Sequence, residues 1–326
     1  MTEIVKKMKN LGEYELNEDV DDVFVLANKT AVVEYRNGYS FGLKIQDAGG
    51  FCTLKFWGPK DQEQVQSFCD SLKLNGVVRI KGKISEYNGE RQISINNSDD
   101  VVLLPVGSYL PSDFIRKSDK DASELLKELN AILSEIKNEE VKQIVYSFYG
   151  DDSFIEKFVN CPAAMRKHHG WVGGLLEHTL SVVKICLEVS KINDGLDKDI
   201  LIAGATLHDI GKIAELETTT KIDYTTEGNL LGHIVLGVQM LTRKLDDMEI
   251  SEGTKQKLIH MLVSHHGKYE FGSPKTPCFP EALVVHYADE LDAKTTQMLE
   301  EIKEKKIISE NKFQWSRDFN IIMVDQ

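Results

Sequence analysis

Residues 200–212 read ILIAGATLHDIGK. A run of apolar and small residues ends on a histidine beside an aspartate, with a glycine and a lysine close behind. Leu201, Gly204, Ala205 and His208 recur at helical spacing, so His208 belongs on the face turned to a core. A polar side chain on that face needs a partner, because an unpaired buried carboxylate or imidazole is costly. The rest of the chain has to supply it.

The chain has nine histidines, all after residue 167. His178, in GGLLEHTLSVVKIC (173–186), shares its face with Leu175, Val182 and Cys186. Asp289, in ALVVHYADELDAK (282–294), shares its face with Ala282 and Val285. One such histidine alone is more often a hydrogen-bonded core residue than a ligand. An ordered series, His178, His208-Asp209, His233, His265-His266 and Asp289, spread over successive helices, points instead to a divalent metal held between them. Neighbours on a helix project ~100° apart, so His208 and Asp209 can both reach one ion. Lys212 follows one turn later and could face a phosphate there as an added cation. His168 and His169 precede the glycines of GWVGG, where backbone can approach a ligand; they are candidates for binding phosphate or protonating a leaving oxygen. His260 and His286 match no ligand position and read as structural. The loop EFGSPKTPCFP (270–280) is expected to rim the site.

Before residue 107 the periodicity is two, not 3.6. YSFGLKIQDAGGFCTLKFWG (39–58) reads as a hairpin turning at 47–50, and VVRIKGKISEYNGERQISI (77–95) as another turning at Asn88-Gly89. A short helix over 61–74 lies between them. This pattern predicts a small all-β barrel of the OB type. With Leu43, Leu54, Ile80 and Ile84 inside, Lys44, Lys55, Trp57, Arg79, Lys81 and Lys83 fall outside. Cations with an indole suit a single nucleic-acid strand, though lysine is also common on any solvated strand. The stretch PVGSYLPSDFIRKSDKDAS (105–123) breaks the pattern as a linker, and SELLKELNAILSEI (123–136), with Ser123 as its cap, restarts it as helix. Further helices are expected near 139–149, 174–190, 199–213, 230–246, 254–265 and 280–300, and a strand in FQWSRDFNIIMVDQ (313–326).

The net charge of −13 disfavours nucleic acid unless a local basic face exists. Residues 1–107 hold 13 basic against 16 acidic side chains, so most of the excess lies in the helical half. Five cysteines without a C-x-x-C pair read as free thiols in a reducing cytoplasm. The opening residues show no signal peptide, and no apolar run approaches the ~20 residues of a membrane span.

The motifs LLEHT, LHDIGK, GHI, SHHG and ADELDAK resemble the HD phosphohydrolase superfamily. The longer strings HHGWVGGLLEHTLSV (168–182) and SHHGKYEFGSP (264–274), with PEALVVHYADELDAK (280–294), are similar to the YhaM-type 3′→5′ exoribonucleases, which place an OB-fold before an HD domain. The resemblance implies a first metal on His178, His208, Asp209 and Asp289. It implies a second on His233, His265 and His266, with Asp209 bridging. It favours Mn²⁺, with iron or zinc as alternatives that mixed nitrogen and oxygen ligands also suit. The expected organisation is an OB barrel over 1–107, a linker over 108–122, a helical HD domain over 123–300 and an extension over 301–326 packed on it. The expected function is metal-dependent 3′→5′ exonuclease action on single-stranded RNA or DNA in the cytoplasm, with homo-oligomerisation left open. Two other functions fit less of the sequence. A phosphohydrolase of a small nucleotide or cyclic dinucleotide, with a regulatory OB domain, would leave the stacking face unused, and a non-catalytic nucleic-acid-binding protein would leave the intact ligand set unused.

Overall fold

The computed structural model describes residues 4–87, 90–165, 169–308 and 313–324. The chain forms two compact units, one of Met1–Lys117 with Thr219–Lys221, the other of Ser118–Thr218 with Ile222–Gln326. Among the described residues no helix is long and apolar enough to cross a membrane.

The first unit contains β1 (Asp19–Lys29), β2 (Val33–Tyr35), β3 (Gly38–Asp47), β4 (Gly50–Trp57), α1 (Gln62–Ser71), β5 (Val77–Tyr87), β6 (Glu90–Ile95) and β7 (Val101–Leu103). β1 pairs with both β3 and β5, so the order β1-β3-β4-β6-β5 closes on itself, with β4 and β6 parallel. This is the five-stranded barrel of the OB type that the alternation predicts. Phe41, Leu43, Ile45, Leu54, Ile80 and Ile93 fill it and are essentially unexposed. The expected turn at Asn88-Gly89 lies outside the described residues; the strands on either side of it pair from Tyr87↔Glu90 inward.

Two features of this unit had no sequence signal. Lys7 Nζ lies 2.8 Å from buried Asp47, and Asp22 accepts hydrogen bonds from the amides of Met8 and Lys9 and from the Tyr14 hydroxyl, which ties the N-terminal segment to the barrel. In the stretch expected as linker, Phe114 packs in a small core with Val23, Val25 and Val77, joined by Leu104 and Tyr109.

The second unit is helical: α2 (Ala122–Leu133), α3 (Glu139–Tyr149), α4 (Asp152–Asn160), α5 (Gly174–Ile192), α6 (Lys198–Leu207), α7 (Lys212–Glu215), α8 (Thr226–Leu245), α9 (Glu252–Ser264) and α10 (Pro280–Ile308), with hairpins β8 (Leu216–Thr218)/β9 (Ile222–Tyr224) and β10 (Phe313–Ser316)/β11 (Ile321–Val324). Leu129, Phe148, Phe158, Leu175, Val182, Leu201 and Leu258 are among the residues of one continuous core.

Several expectations are corrected here. The cap of α2 is Asp121, whose carboxylate accepts from the amides of Ser123 and Glu124, not Ser123 itself. α4 carries its own aspartate cap, Asp151, and follows α3 so closely that its start was not legible. α10 continues through Ile308, past the expected boundary at 300. The expected C-terminal strand is one of a pair. Ser316 in that pair bonds Glu301 at 2.7 Å and Met323 is buried.

The most consequential correction is that the helix expected over 199–213 stops at Leu207 and restarts as the single turn α7. Between them Gly211 lies against α8. A Cβ built on it would stand 1.9 Å from the His233 carbonyl oxygen and 2.5 Å from the Gly237 nitrogen. Within α8, Gly232 adopts φ 72°, a left-handed break that only glycine takes without strain. Gly211→Ala should therefore push α7 from α8 at the level of His233. The expected cost is ~1–3 kcal/mol or more, read as a lower unfolding temperature together with weakened divalent-metal binding. A variant with wild-type stability and metal affinity would show that the contact relaxes without consequence.

Candidate metal centre

Four helices, α5, α6, α8 and α9, carry the histidines of the site, and they hold them in three ways. His208 and His265 follow the last turns of α6 and α9. A helix end leaves its final carbonyls without partners. Here the imidazoles supply them: His208 Nδ1 lies 2.8 Å from the Ala205 carbonyl and His265 Nδ1 2.8 Å from that of Leu262. A carbonyl only accepts, so each Nδ1 carries the proton and each Nε2 presents a lone pair. His266 repeats the arrangement on the Phe271 carbonyl at 2.9 Å.

His178, inside α5, uses an acid instead. Its Nδ1 lies 2.7 Å from Asp292 on α10. His233 follows the Gly232 break, and Glu215 captures both its freed amide (2.8 Å) and its Nδ1 (3.0 Å). All five rings are thus fixed through Nδ1, with Nε2 turned to one centre.

Asp209 stands at that centre, 2% exposed. Its two oxygens divide the histidines between them. Oδ2 lies 3.4 Å from His178 Nε2 and 3.3 Å from His208 Nε2, whereas Oδ1 lies 3.5 Å from both His233 Nε2 and His265 Nε2. Asp289 Oδ1 lies 3.2 Å from His178 Nε2. His266 groups with His233 and His265 at ligand spacing.

The electrostatics are those of a cation site. Burial alone would raise the Asp209 carboxyl, but Lys212 and the facing histidines outweigh it and hold the carboxyl well below the usual carboxylate range. Burial would lower His178, yet Asp209, Asp289 and Asp292 draw a proton onto it and push it well up. Burial dominates at His265 and His266, which are held down and therefore neutral. His178 Nε2 and His208 Nε2 lie 3.2 Å apart, a contact of two lone pairs unless a proton or cation is shared. Among the described residues, the buried side-chain atoms lacking a hydrogen-bond partner are both Asp209 oxygens, His233 Nε2, His265 Nε2 and His169 Nδ1. Four of those five converge on one point, and these donor types suit a divalent cation.

Lys212 Nζ lies 2.6 Å from Asp209 Oδ2, an ion-pair contact outside hydrogen-bond geometry. Burial would lower this amine, but Asp209 and Asp289 overcome it and keep it charged. Lys212 also lines a cavity of about 370 Å³ with His178, Asp209, His265, His266 and Asp289. His286, read from sequence as structural, lines the same cavity while its Nδ1 donates to the His265 carbonyl at 2.7 Å. Phe271 of the 270–280 loop is a further wall.

His169 departs from expectation. It is buried behind His178, with Nε2 2.9 Å from the Asp292 oxygen that also holds His178 and 3.2 Å from Thr296, and it does not line the cavity. The structure places it among the groups that hold His178. His168 lies outside the described residues. Asp292 and Glu215 were missed. The first could have been found, since Asp289 and Asp292 sit three apart on one helix face. The second follows from a tertiary contact alone.

On the barrel, Lys44, Lys55, Trp57, Lys81, Lys83 and Arg79 all lie on outward positions. Arg79, however, is taken by Asp21 through two bonds of 2.7 and 3.0 Å. Lys81 and Lys83 stand opposite Asp21 and Asp19 in the strand register. The cations clear of aspartates are Lys44, 4.5 Å over the Phe51 ring, and Lys55, 5.4 Å over Trp57, which itself meets Tyr35 edge-on. Phe51, 62% exposed, is the aromatic that the sequence reading passed over.

The HD domain family matches residues 175–294. Among curated proteins the chain is similar to the 3′-5′ exoribonuclease YhaM of Bacillus velezensis (strain DSM 23117 / BGSC 10A6 / LMG 26770 / FZB42), 31% identical over 301 residues, spanning 90% of this chain and 92% of that one. Among solved structures it matches a replication protein A heterotrimer bound to ssDNA (17% identity, TM-score 0.20, 29% of this chain and 63% of that chain). It also matches a murine DNA-binding protein bound to dsDNA (11%, 0.21, 30% and 47%). Those two scores are too low to bear on fold or ligand.

Asp292→Asn should loosen His178 without removing a centre-facing atom. Divalent-metal affinity is expected to fall ~10–100-fold, the usual effect of losing a carboxylate behind a ligand histidine. Competition against a chelating dye measures it, and an unchanged affinity would deny Asp292 that role.

Proposed function

The chain belongs to the YhaM-type exoribonuclease family and carries an HD domain, and on that premise we propose that it is a metal-dependent 3′→5′ exonuclease of single-stranded RNA, with DNA as a second substrate. As an HD-domain hydrolase it acts on phosphodiester bonds. The observation that carries the metal reading is the division of the Asp209 oxygens between two sets of inward Nε2 atoms. It supports two ions per chain, one on His178, His208, Asp209 and Asp289, the other on Asp209, His233, His265 and His266. Manganese is the metal this family resemblance favours, and nitrogen with oxygen donors suits it.

Divalent ions so held would lower the pKa of water and neutralise charge on the phosphate. The protein's own part is orientation and charge. The Nδ1 anchors hold five rings without a search through rotamers, so little order is lost on binding. Lys212 brings a buried positive charge to the wall of the cavity, where negative charge grows on the phosphate as the bond to the leaving oxygen breaks. His169 acts at one remove, steadying Asp292 and through it His178. The outer face of β3 and β4 offers Phe51 and Trp57 for bases, with Lys44 and Lys55 for phosphates. Arg79, Lys81 and Lys83 contribute less, since Asp19 and Asp21 offset them. The family's exoribonuclease activity fits a cytoplasmic enzyme.

The direct test uses full-length protein with Mn²⁺ and single-stranded RNA labelled at either end. A ladder shortening from the 3′ end is expected, and internal cuts or 5′ shortening would refute the polarity. In the same assay, replacing Phe51, Lys55 and Trp57 together by alanine should raise KM for long RNA and flatten its salt dependence. An unaltered KM would remove the barrel face from the binding path.

Lys212→Ala tests the cation. If Lys212 only offsets the charge of Asp209, turnover at full metal occupancy stays near wild type. Facing the phosphate, it stabilises the transition state, and its loss should lower kcat ~10²-fold or more at unchanged metal content. Lys212→Arg should restore part of the rate, because a planar guanidinium presents its charge differently. Steady-state kinetics, with metal content measured on the same samples, decides between them.

A further inference from the structure

We propose that the Phe271 ring is the stacking surface for the base of the nucleotide being removed, a nucleobase subsite beside the metal centre. The inference rests on the nuclease reading above and adds to it the part of the substrate that the metals do not touch.

The cavity over the centre is lined largely by charged and imidazole groups. Its remaining lining among the described residues is Ala163, Ala293 and Phe271, so Phe271 offers the one flat hydrocarbon surface. Phe271 ends the short 3-10 turn Tyr269–Phe271, closed by Gly272 at φ 83°. The structural work there is done by its backbone. The carbonyl accepts from His266 Nδ1 at 2.9 Å and the amide donates to the Lys268 carbonyl at 3.0 Å. Neither contact needs a ring, and the ring belongs to none of the hydrophobic cores. It is half exposed, at 50%, in a cleft that otherwise selects for charge.

Position and size agree with a base. The turn is fastened to a ligand-spaced histidine, so a phosphate held at the histidines brings its own nucleoside to the ring. At about 370 Å³ the cavity is near the small end of the ~300–1000 Å³ usual for ligand sites, the scale of one nucleotide. Lys268 Nζ lies 5.2 Å from the ring centroid and 3.7 Å from Glu270, which partly offsets its charge. A stacking platform of this kind accepts any base, because every base has a π-face. That is what an enzyme consuming a strand of mixed sequence requires.

The experiment compares two RNA oligomers that differ only in the terminal nucleotide, one with its base and one abasic. Wild-type holoenzyme should prefer the complete end by ~5–100-fold in kcat/KM, the range expected for one base–aromatic stack. Phe271→Ala should bring that ratio towards one, through KM on the complete end, and Phe271→Trp should preserve it. Binding gives a second reading. The Kd for an oligomer whose terminal linkage is a hydrolysis-resistant phosphorothioate should show the same loss of discrimination. Metal content is measured alongside. Should Phe271→Ala lose metal, Phe271→Leu keeps the bulk without the π-face and replaces it. Equal discrimination in wild type and in the metal-replete variants would overturn the proposal. So would a wild type indifferent to the terminal base while still shortening RNA, an outcome that leaves the nuclease reading standing. A wild type that shortens no RNA would bring down that reading and this one with it.

Discussion

A single buried carboxylate sets the terms for the helical unit. Asp209 sits at 2% exposure, where an unpaired charge would cost several kcal/mol. The surrounding helices meet that cost from several sides at once. α7 brings Lys212 to one oxygen, α5 and the end of α6 bring His178 and His208 to the same oxygen, and α8 and the end of α9 bring His233 and His265 to the other. The stop at Leu207, the glycine contact between α7 and α8 and the break at Gly232 follow from the same need. Without them the chain could not approach one carboxylate from so many directions.

The layer behind the histidines uses two kinds of support. His208, His265 and His266 lean on main-chain carbonyls, which any sequence supplies wherever a helix or turn ends. His178 and His233 sit within helices, where the carbonyls are already bonded, and lean on Asp292 and Glu215. Side-chain support can be lost by one substitution, and main-chain support cannot. Sensitivity outside the centre itself should therefore concentrate on Asp292, Glu215 and the glycines that bring them into reach. Asp292 carries the heaviest duty, because one of its oxygens serves both His178 and His169.

The barrel handles charge by local balance. The chain is acidic overall, and the β5 cations are answered by aspartates on β1 across the register. Phe51, exposed, and Trp57, half-buried, lie on β4, each under a lysine. The face that is both basic and aromatic is thus narrower than a count of lysines indicates. It is centred on β3 and β4, where alternation leaves positive charge and ring faces side by side.

The sequence by itself determined the two fold classes and most of the centre. Period-two alternation was enough for the barrel, because a strand has only two faces and one must be buried. Helical spacing put His178, His208 and Asp289 on buried faces, and their shared need for a partner implied a cation. The tertiary structure decided what depends on approach between distant segments. It divided the oxygens of Asp209 between two sets of histidines. It paired Arg79 with Asp21 and set His169 behind His178. It also brought His286, Glu215 and Asp292 to the site and singled out Phe271 from the loop expected to rim it. None of these is fixed by periodicity, because a pattern along one helix gives the direction a side chain faces and not the atom it meets. That atom is set by where helices stop and how closely they pack, and here the glycines at 211 and 232 set both.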